Sequence, residues 1–377
     1  MNQGHSHGAT DISSRPLTPS PAPLRLALLP RLSAPACAGR TGLASPPSIS
    51  RPLAASLLIL PLAGCSGRQS ALDPAGTEAS AVHDLFFVML IGGAVIWALV
   101  IGLLLYAGRS RPEPVSAKAA NRLILWGGVA FPVTTLFLLL AYAVWLMPQV
   151  RPWLGAAPDG APQIEATGEQ FWWRLRYLDQ PGQPGFETAN EVRLPVGERT
   201  IFALEAADVI HSFWIPTLGG KMDMIPGRTN ILSLEPTRTG TFRGPCAEFC
   251  GTSHALMAFT VVVMERADYE SWRAAQVAGH PAVPEPVNVG RDLFFRHGCA
   301  ACHAINGTAA IGRVGPDLTR IAGRGTLAAG TLSNTPENLA RFIRDPGAVK
   351  PGVKMPAYTM LRADEIDAIA AYLGELR

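Results

Sequence analysis

Two apolar stretches, Leu85 to Ala107 and Leu123 to Met147, each lack any charged residue, and they constrain this chain more than any other feature. At about 1.5 Å per helical residue, each can cross roughly 30 Å of hydrocarbon, a medium that tolerates only helices and closed barrels. Helices of a soluble core read similarly, but two in tandem without a charge point to a membrane hairpin over 85–147. The connector Gly108 to Arg122 sets Arg109, Arg111, Lys118 and Arg122 against the single acid Glu113. The positive-inside bias places it on the cytoplasmic side, so both outer ends of the hairpin and everything after Pro148 lie outside the membrane.

The cysteines are Cys37, Cys65, Cys246, Cys250, Cys299 and Cys302. Cys65 closes Leu62-Ala63-Gly64-Cys65 behind an apolar run from Leu53 with Arg51 ahead of it, the pattern of a bacterial lipoprotein signal. Residues 1–64 then read as a leader and lipoprotein signal, its first fifty residues either an unusually long leader or an overextended start, Cys65 as a lipidated N-terminus, and 65–84 as an exported segment. The other four thiols fall in two motifs suited to metals, which leaves no disulfide framework.

The first motif is Cys246-Ala-Glu-Phe-Cys250-Gly-Thr-Ser-His254-Ala-Leu-Met257. A mononuclear electron-transfer copper takes one Cys, two His and a weak Met, so a second thiolate four residues on suggests two coppers sharing bridging sulfurs. His211, ending the apolar run Val209-Ile210-His211, supplies the missing imidazole. A Cys₂His₂ zinc site is the alternative, and it would leave Met257 without a role.

The second motif, Cys299-Ala-Ala-Cys302-His303, is the pattern in which two thioethers hold a haem and the His binds its iron. A Met as sixth ligand raises the potential into the respiratory range. Met355, in Gly352-Val353-Lys354-Met355-Pro356, is the natural donor because the following Pro helps fix a non-helical loop; Met360 is the competitor, and either could be core filler.

Between the motifs, residues 148–275 hold short runs rich in β-branched and aromatic residues: Asn190 to Leu194, Thr200 to Leu204, Asn230 to Leu234 and Ala258 to Met264. They predict an all-β sandwich or barrel. A Pro-rich linker over 276–287 leads into 288–377, where Val289 to His297 and Asp364 to Leu376 carry helical periodicity, so a small all-α cytochrome is expected. By count the barrel is slightly acidic and Arg291 to Arg377 slightly basic, which weakly favours docking of the two. The net charge of +3 and scattered Arg, without a phosphate-binding Gly loop, give no reason to expect nucleic acid.

With these motifs in place, residues 80 to 275 resemble subunit II of a haem-copper cytochrome c oxidase, and the mature chain resembles the caa3 form with a fused cytochrome c. The resemblance implies a two-helix anchor, a cupredoxin-like barrel with a binuclear CuA centre, and a class I cytochrome c domain. It maps the copper ligands onto His211, Cys246, Cys250, His254 and Met257, with the backbone carbonyl of Glu248. The Glu248 side chain would reach a magnesium ion at the subunit I boundary, a solvated Glu being the plainer alternative, and the run Lys221 to Arg228 would face subunit I. The implied role is an electron-input subunit of the bacterial cytoplasmic membrane. A cytochrome c or bc1-type complex would supply its electrons, and the oxygen-reducing, proton-pumping partner would be subunit I with haems a and a3 and CuB, alongside subunit III. An electron-delivery subunit of a nitrogen-oxide reductase and a copper-handling lipoprotein are the alternatives.

Two positions depart from the family pattern. Relatives commonly place a Trp after the Gln of the aromatic stretch, whereas Gln170 is followed by Phe171, Trp172 and Trp173. Electrons are therefore expected from the tethered haem, by way of Trp172 or another contact, although strand aromatics also serve as core. Many relatives carry a Glu at the start of the second membrane helix, and Leu123-Ile124-Leu125 supplies none. The remaining His83, His280 and His297 lie outside the spans, so an oxygen-reducing site is not expected in this chain.

Overall fold

The computed structural model describes residues 66–109, 115–150, 163–278 and 288–377, so Cys65, the leader and most of the expected linker lie outside the described residues. Helix α1 (Thr77–Arg109) starts upstream of its apolar stretch, and the boundary drawn at Leu85 falls inside it. The cause is Glu78, buried to 1% exposure, whose carboxylate meets Arg199 Nη1 at 2.5 Å and accepts the Glu235 N–H at 3.1 Å. An ionised carboxylate so buried must be paired and hydrogen-bonded, and both partners come from the barrel. The preceding segment is bound there too: Ala75 N–H donates to Thr217 O (2.7 Å) and Thr237 N–H to Ala75 O (2.8 Å).

The second span comprises α2 (Ala117–Leu123), a π-helical turn (Ile124–Ala130) and α3 (Phe131–Val150). Ser116 Oγ caps it by accepting the Ala119 N–H. Pro132 has no N–H to give and crowds the carbonyl four residues back, and the chain relaxes by widening the turn, with Phe131 N–H reaching Trp126 O. Apolar side chains of both spans, such as Leu104 and Trp126, are exposed, as lipid-facing residues should be.

Ten strands build the exported β-module: β1 (Gln163–Glu169), β2 (Trp172–Tyr177), β3 (Phe186–Ala189), β4 (Glu191–Pro195), β5 (Thr200–Ala206), β6 (His211–Phe213), β7 (Met222–Met224), β8 (Asn230–Leu234), β9 (Gly240–Pro245) and β10 (Ala258–Met264). A sheet ordered β3-β2-β1-β5-β8 and one ordered β4-β10-β9 enclose a common core, and β6 pairs with β7. Along β2, Trp173, Leu175 and Tyr177 turn inward while Trp172, Arg174 and Arg176 turn outward, the period of a half-buried strand. Trp173, Phe213 and Phe259 meet at the centre, with ring centroids 4.5 to 5.6 Å apart. Helix α4 (Arg266–Val277) closes the open end by setting Trp272 against Tyr177 and Phe186, and it runs through the boundary drawn at residue 275.

The last module has its own core. Helix α5 (Asn288–Arg296) packs on the terminal α8 (Ala363–Gly374) through Phe294 and Tyr372, whose rings lie 6.0 Å apart. Between them come a hairpin, β11 (Thr326–Leu327) and β12 (Leu332–Ser333), then α6 (Pro336–Arg344) and the short α7 (Pro346–Val349). Thr335 Oγ1 caps α6 ahead of Pro336 at its first turn.

Candidate metal and haem centres

The β9–β10 connection holds Cys246 to Met257 in a closed loop. Cys246 N–H donates to Met257 O (2.8 Å), which ties its ends, and Ala247 N–H donates to Ser212 O (3.0 Å), which ties it to β6. His211 opens β6 at 0% exposure, and a Cβ on Gly168 would meet its ring at 2.8 Å, so only glycine lets β1 run beside it. The donor atoms converge. Cys246 Sγ is 3.9 Å from Cys250 Sγ and 3.9 Å from His211 Nδ1, and Cys250 Sγ is 3.6 Å from His254 Nδ1 and 3.8 Å from Met257 Sδ. The Glu248 carbonyl oxygen lies 3.3 Å from Cys246 Sγ. Donors of His211, Cys246 and Cys250 all fall within 4.8 Å of one another.

This donor set suits copper. Thiolate and thioether are soft donors and imidazole also suits copper, and Met257 at 1% exposure turns its sulfur to the thiols, which zinc would not need. The thiols are unequal: the hydrogen bond from Cys250, helped by one from His211 and opposed by burial, holds Cys246 well below the usual thiol range. The same bond and burial push Cys250 up. His211 turns Nδ1 inward because Asp208 Oδ1 holds its Nε2 at 2.9 Å. Asp208 was missed in the sequence, where its place three residues before His211 was the available signal.

Glu248 points its carboxylate outward, 3.6 Å from Lys221 Nζ, which also meets Asp223 at 3.1 Å. Asp223 and Lys221 belong to the run expected to face subunit I. Trp173 lies in the core, its ring centroid 6.2 Å from that of His211. Phe171 and Trp172 instead line a cavity in contact with the cytochrome module.

That cavity is bounded by Cys299, Cys302, His303 and Met355, by many apolar side chains such as Leu318 and Ile343, and by a few polar ones, Gln170 and Lys350 among them. The cysteines sit on a single helical turn after Gly298. His303 Nδ1 donates to Pro316 O at 2.8 Å, which leaves Nε2 to face the cavity, and burial lowers the His303 pKa, favouring the neutral ring that a metal would need. A Cβ on Gly315 would strike that ring at 2.5 Å. An apolar slot with an oriented imidazole on one wall and a thioether on another fits a haem c. Met360 is 75% exposed and is not among the lining residues.

Both sites suit groups that change charge by one electron with little change of shape, and the class that fold and sites point to is a membrane-anchored electron carrier. The family "Cytochrome C oxidase subunit II, periplasmic domain" matches residues 181–265, and "Cytochrome c" matches 287–377. Cytochrome c oxidase subunit 2 of Alkalihalophilus pseudofirmus is 37% identical over 87% of this chain and 97% of its own length. That of Bacillus subtilis is 30% identical over 85% and 96%. The crystal structure of the periplasmic domain of subunit II of cytochrome oxidase (CoxB) of Bradyrhizobium japonicum covers 32% of this chain and 96% of that one, at 34% identity and a TM-score of 0.30. The chain belongs to the cytochrome c oxidase subunit 2 family, with a fused C-terminal cytochrome c domain. It is accordingly an electron-input subunit and a membrane protein with periplasmic domains, and the two matched families imply CuA copper and haem c.

Proposed function

We propose that residues 148–275 hold CuA through His211, Cys246, Cys250, His254, Met257 and the Glu248 carbonyl, and that residues 288–377 hold haem c through Cys299, Cys302, His303 and Met355. When bound, the two groups supply one-electron uptake and release, linking a cytochrome c or bc1-type donor to a haem a/a3–CuB subunit I that reduces oxygen to water and pumps protons. The protein's own part is preorganisation. Asp208 and Pro316 O orient the two imidazoles, and the buried loop ends keep the copper donors together before metal arrives. The observation that carries this reading is the convergence of Cys246, Cys250 and His211 donors within 4.8 Å beside Met257.

Subunit III belongs to the same proposed complex in the bacterial cytoplasmic membrane, with Cys65 as a lipid anchor. Magnesium at the subunit I boundary would use the Glu248 carboxylate, which must then leave or share Lys221. Affinity isolation of the tagged chain from membranes tests the assembly. A co-isolating multi-helix subunit with two further haems and oxygen consumption from a reduced cytochrome is expected. Isolation of the chain alone, or with a subunit that reduces nitrogen oxides, would overturn it.

A further inference from the structure

The haem module is seated on the copper module along one face. Ala258 N–H, at the start of β10, donates to Ala329 O (3.0 Å) in the turn of the β11–β12 hairpin, and Thr331 Oγ1 donates to Leu256 O (3.2 Å). Gly325 N–H donates to Glu191 Oε2 (2.9 Å), and Ser253 Oγ, next to His254, donates to Pro351 O (2.6 Å). Most of these bonds are neutral or involve backbone, so general charge complementarity between the modules does not account for them.

At the centre of this face is Lys350, 2% exposed. Its Nζ donates to Phe171 O of the barrel at 2.5 Å and to Ala328 O of the hairpin at 3.0 Å. Each partner matters to one site. Phe171 follows Gln170, whose Nε2 donates to Cys250 O at 2.6 Å, and both residues line the haem cavity. Ala328 and Ala329 hold φ of 50° and 57°, a left-handed conformation that residues with a Cβ keep only when surrounding contacts offset its cost. On the cytochrome side, Lys350 opens the loop that runs to Met355. The other bridging lysine, Lys354, reaches Asp208 at 3.3 Å but is 56% exposed, where solvent weakens such a pair.

We propose that Lys350 is a positioning residue that fixes the haem cavity against Gln170 and Phe171, one hydrogen bond from Cys250, and so sets the coupling between the two centres. This rests on the reading that both centres are occupied. The transfer it serves moves one electron, oxidising the haem and reducing the copper pair, and Lys350 makes and breaks no covalent bond. Burial pushes its pKa down to about 7, and both the amine and the ammonium carry the two N–H groups used here. An apolar residue would strand two acceptors in a dry interface.

Two experiments on the full chain in its oxidase decide this. In the first, lysines of the native protein are labelled with an acylating reagent and mapped by mass spectrometry. Lys354, 56% exposed, should label while Lys350 stays unmodified, and labelling of Lys350 equal to that of Lys354 overturns the proposal. In the second, Lys350→Met should keep the optical and EPR spectra and potentials of both centres and leave haem reduction by an external donor unchanged. Its internal haem-to-copper step should slow, because a wall that has lost two buried bonds no longer holds the cavity at a fixed distance from Gln170 and Phe171. Intact spectra with an unchanged internal rate overturn the role of Lys350. Missing copper or haem in the wild-type protein would instead defeat the site assignments, and if Lys350→Met fails to assemble, the labelling result decides.

Discussion

The copper and haem modules reach the same end, a preformed one-electron site, by opposite constructions. In the barrel, four donor side chains sit on a twelve-residue loop whose ends are hydrogen-bonded together, and only His211 comes from a distant strand. In the cytochrome module three of the proposed haem-binding residues share one turn, while the opposite side of the cavity is an irregular loop held by α7 and by the neighbouring module. The copper donors all come from the barrel, whereas the haem site borrows part of its wall, Gln170 to Trp172, from that neighbouring module. The ligating loop of the first module should tolerate loss of the second better than the reverse.

The largest expected effect follows from that asymmetry. His303→Ala should abolish stable haem incorporation, read by pyridine haemochrome, and leave the copper EPR signal intact because the module cores are separate. Loss of copper along with haem would break the comparison. Next, Cys250→Ser removes one bridging sulfur, and metal analysis should find the copper stoichiometry reduced from a pair to a single ion. Met355→Ala should convert the haem to high spin, visible in the optical spectrum, while Met360→Ala should not; the opposite result would move the axial ligand to the exposed Met360. Gly168→Ala drives a Cβ to 2.8 Å from His211 and should cost about 1–3 kcal/mol of barrel stability by thermal melting. Smallest of all, Met257→Leu should leave copper bound and shift only its potential and spectrum.

Much of this was legible beforehand, for identifiable reasons. The strands at 191–195, 200–206, 230–234 and 258–264 follow β-branched runs bounded by turn residues, and the copper loop carries its ligand chemistry in a contiguous segment. What escaped depends on contacts between distant residues. The start of α1 at Thr77 rests on Glu78 meeting Arg199, and no local pattern marks that pairing. Helix α4 is polar on most faces and buries only Tyr269 and Arg273, so its periodicity is faint. Helix α6 had a readable signal in Thr335-Pro336 that was passed over. Pro316 orients His303 through a backbone carbonyl, which a sequence cannot reveal, and Lys350 reads as an ordinary surface lysine until the modules are brought together.

The most direct measurement is low-temperature EPR with optical spectroscopy on the full chain isolated in its oxidase. A copper hyperfine pattern from one electron shared equally over two coppers, with a low-spin haem c spectrum, is the expected result. A mononuclear copper signal, or a zinc-filled site silent in EPR, would contradict the binuclear assignment of Cys246 and Cys250.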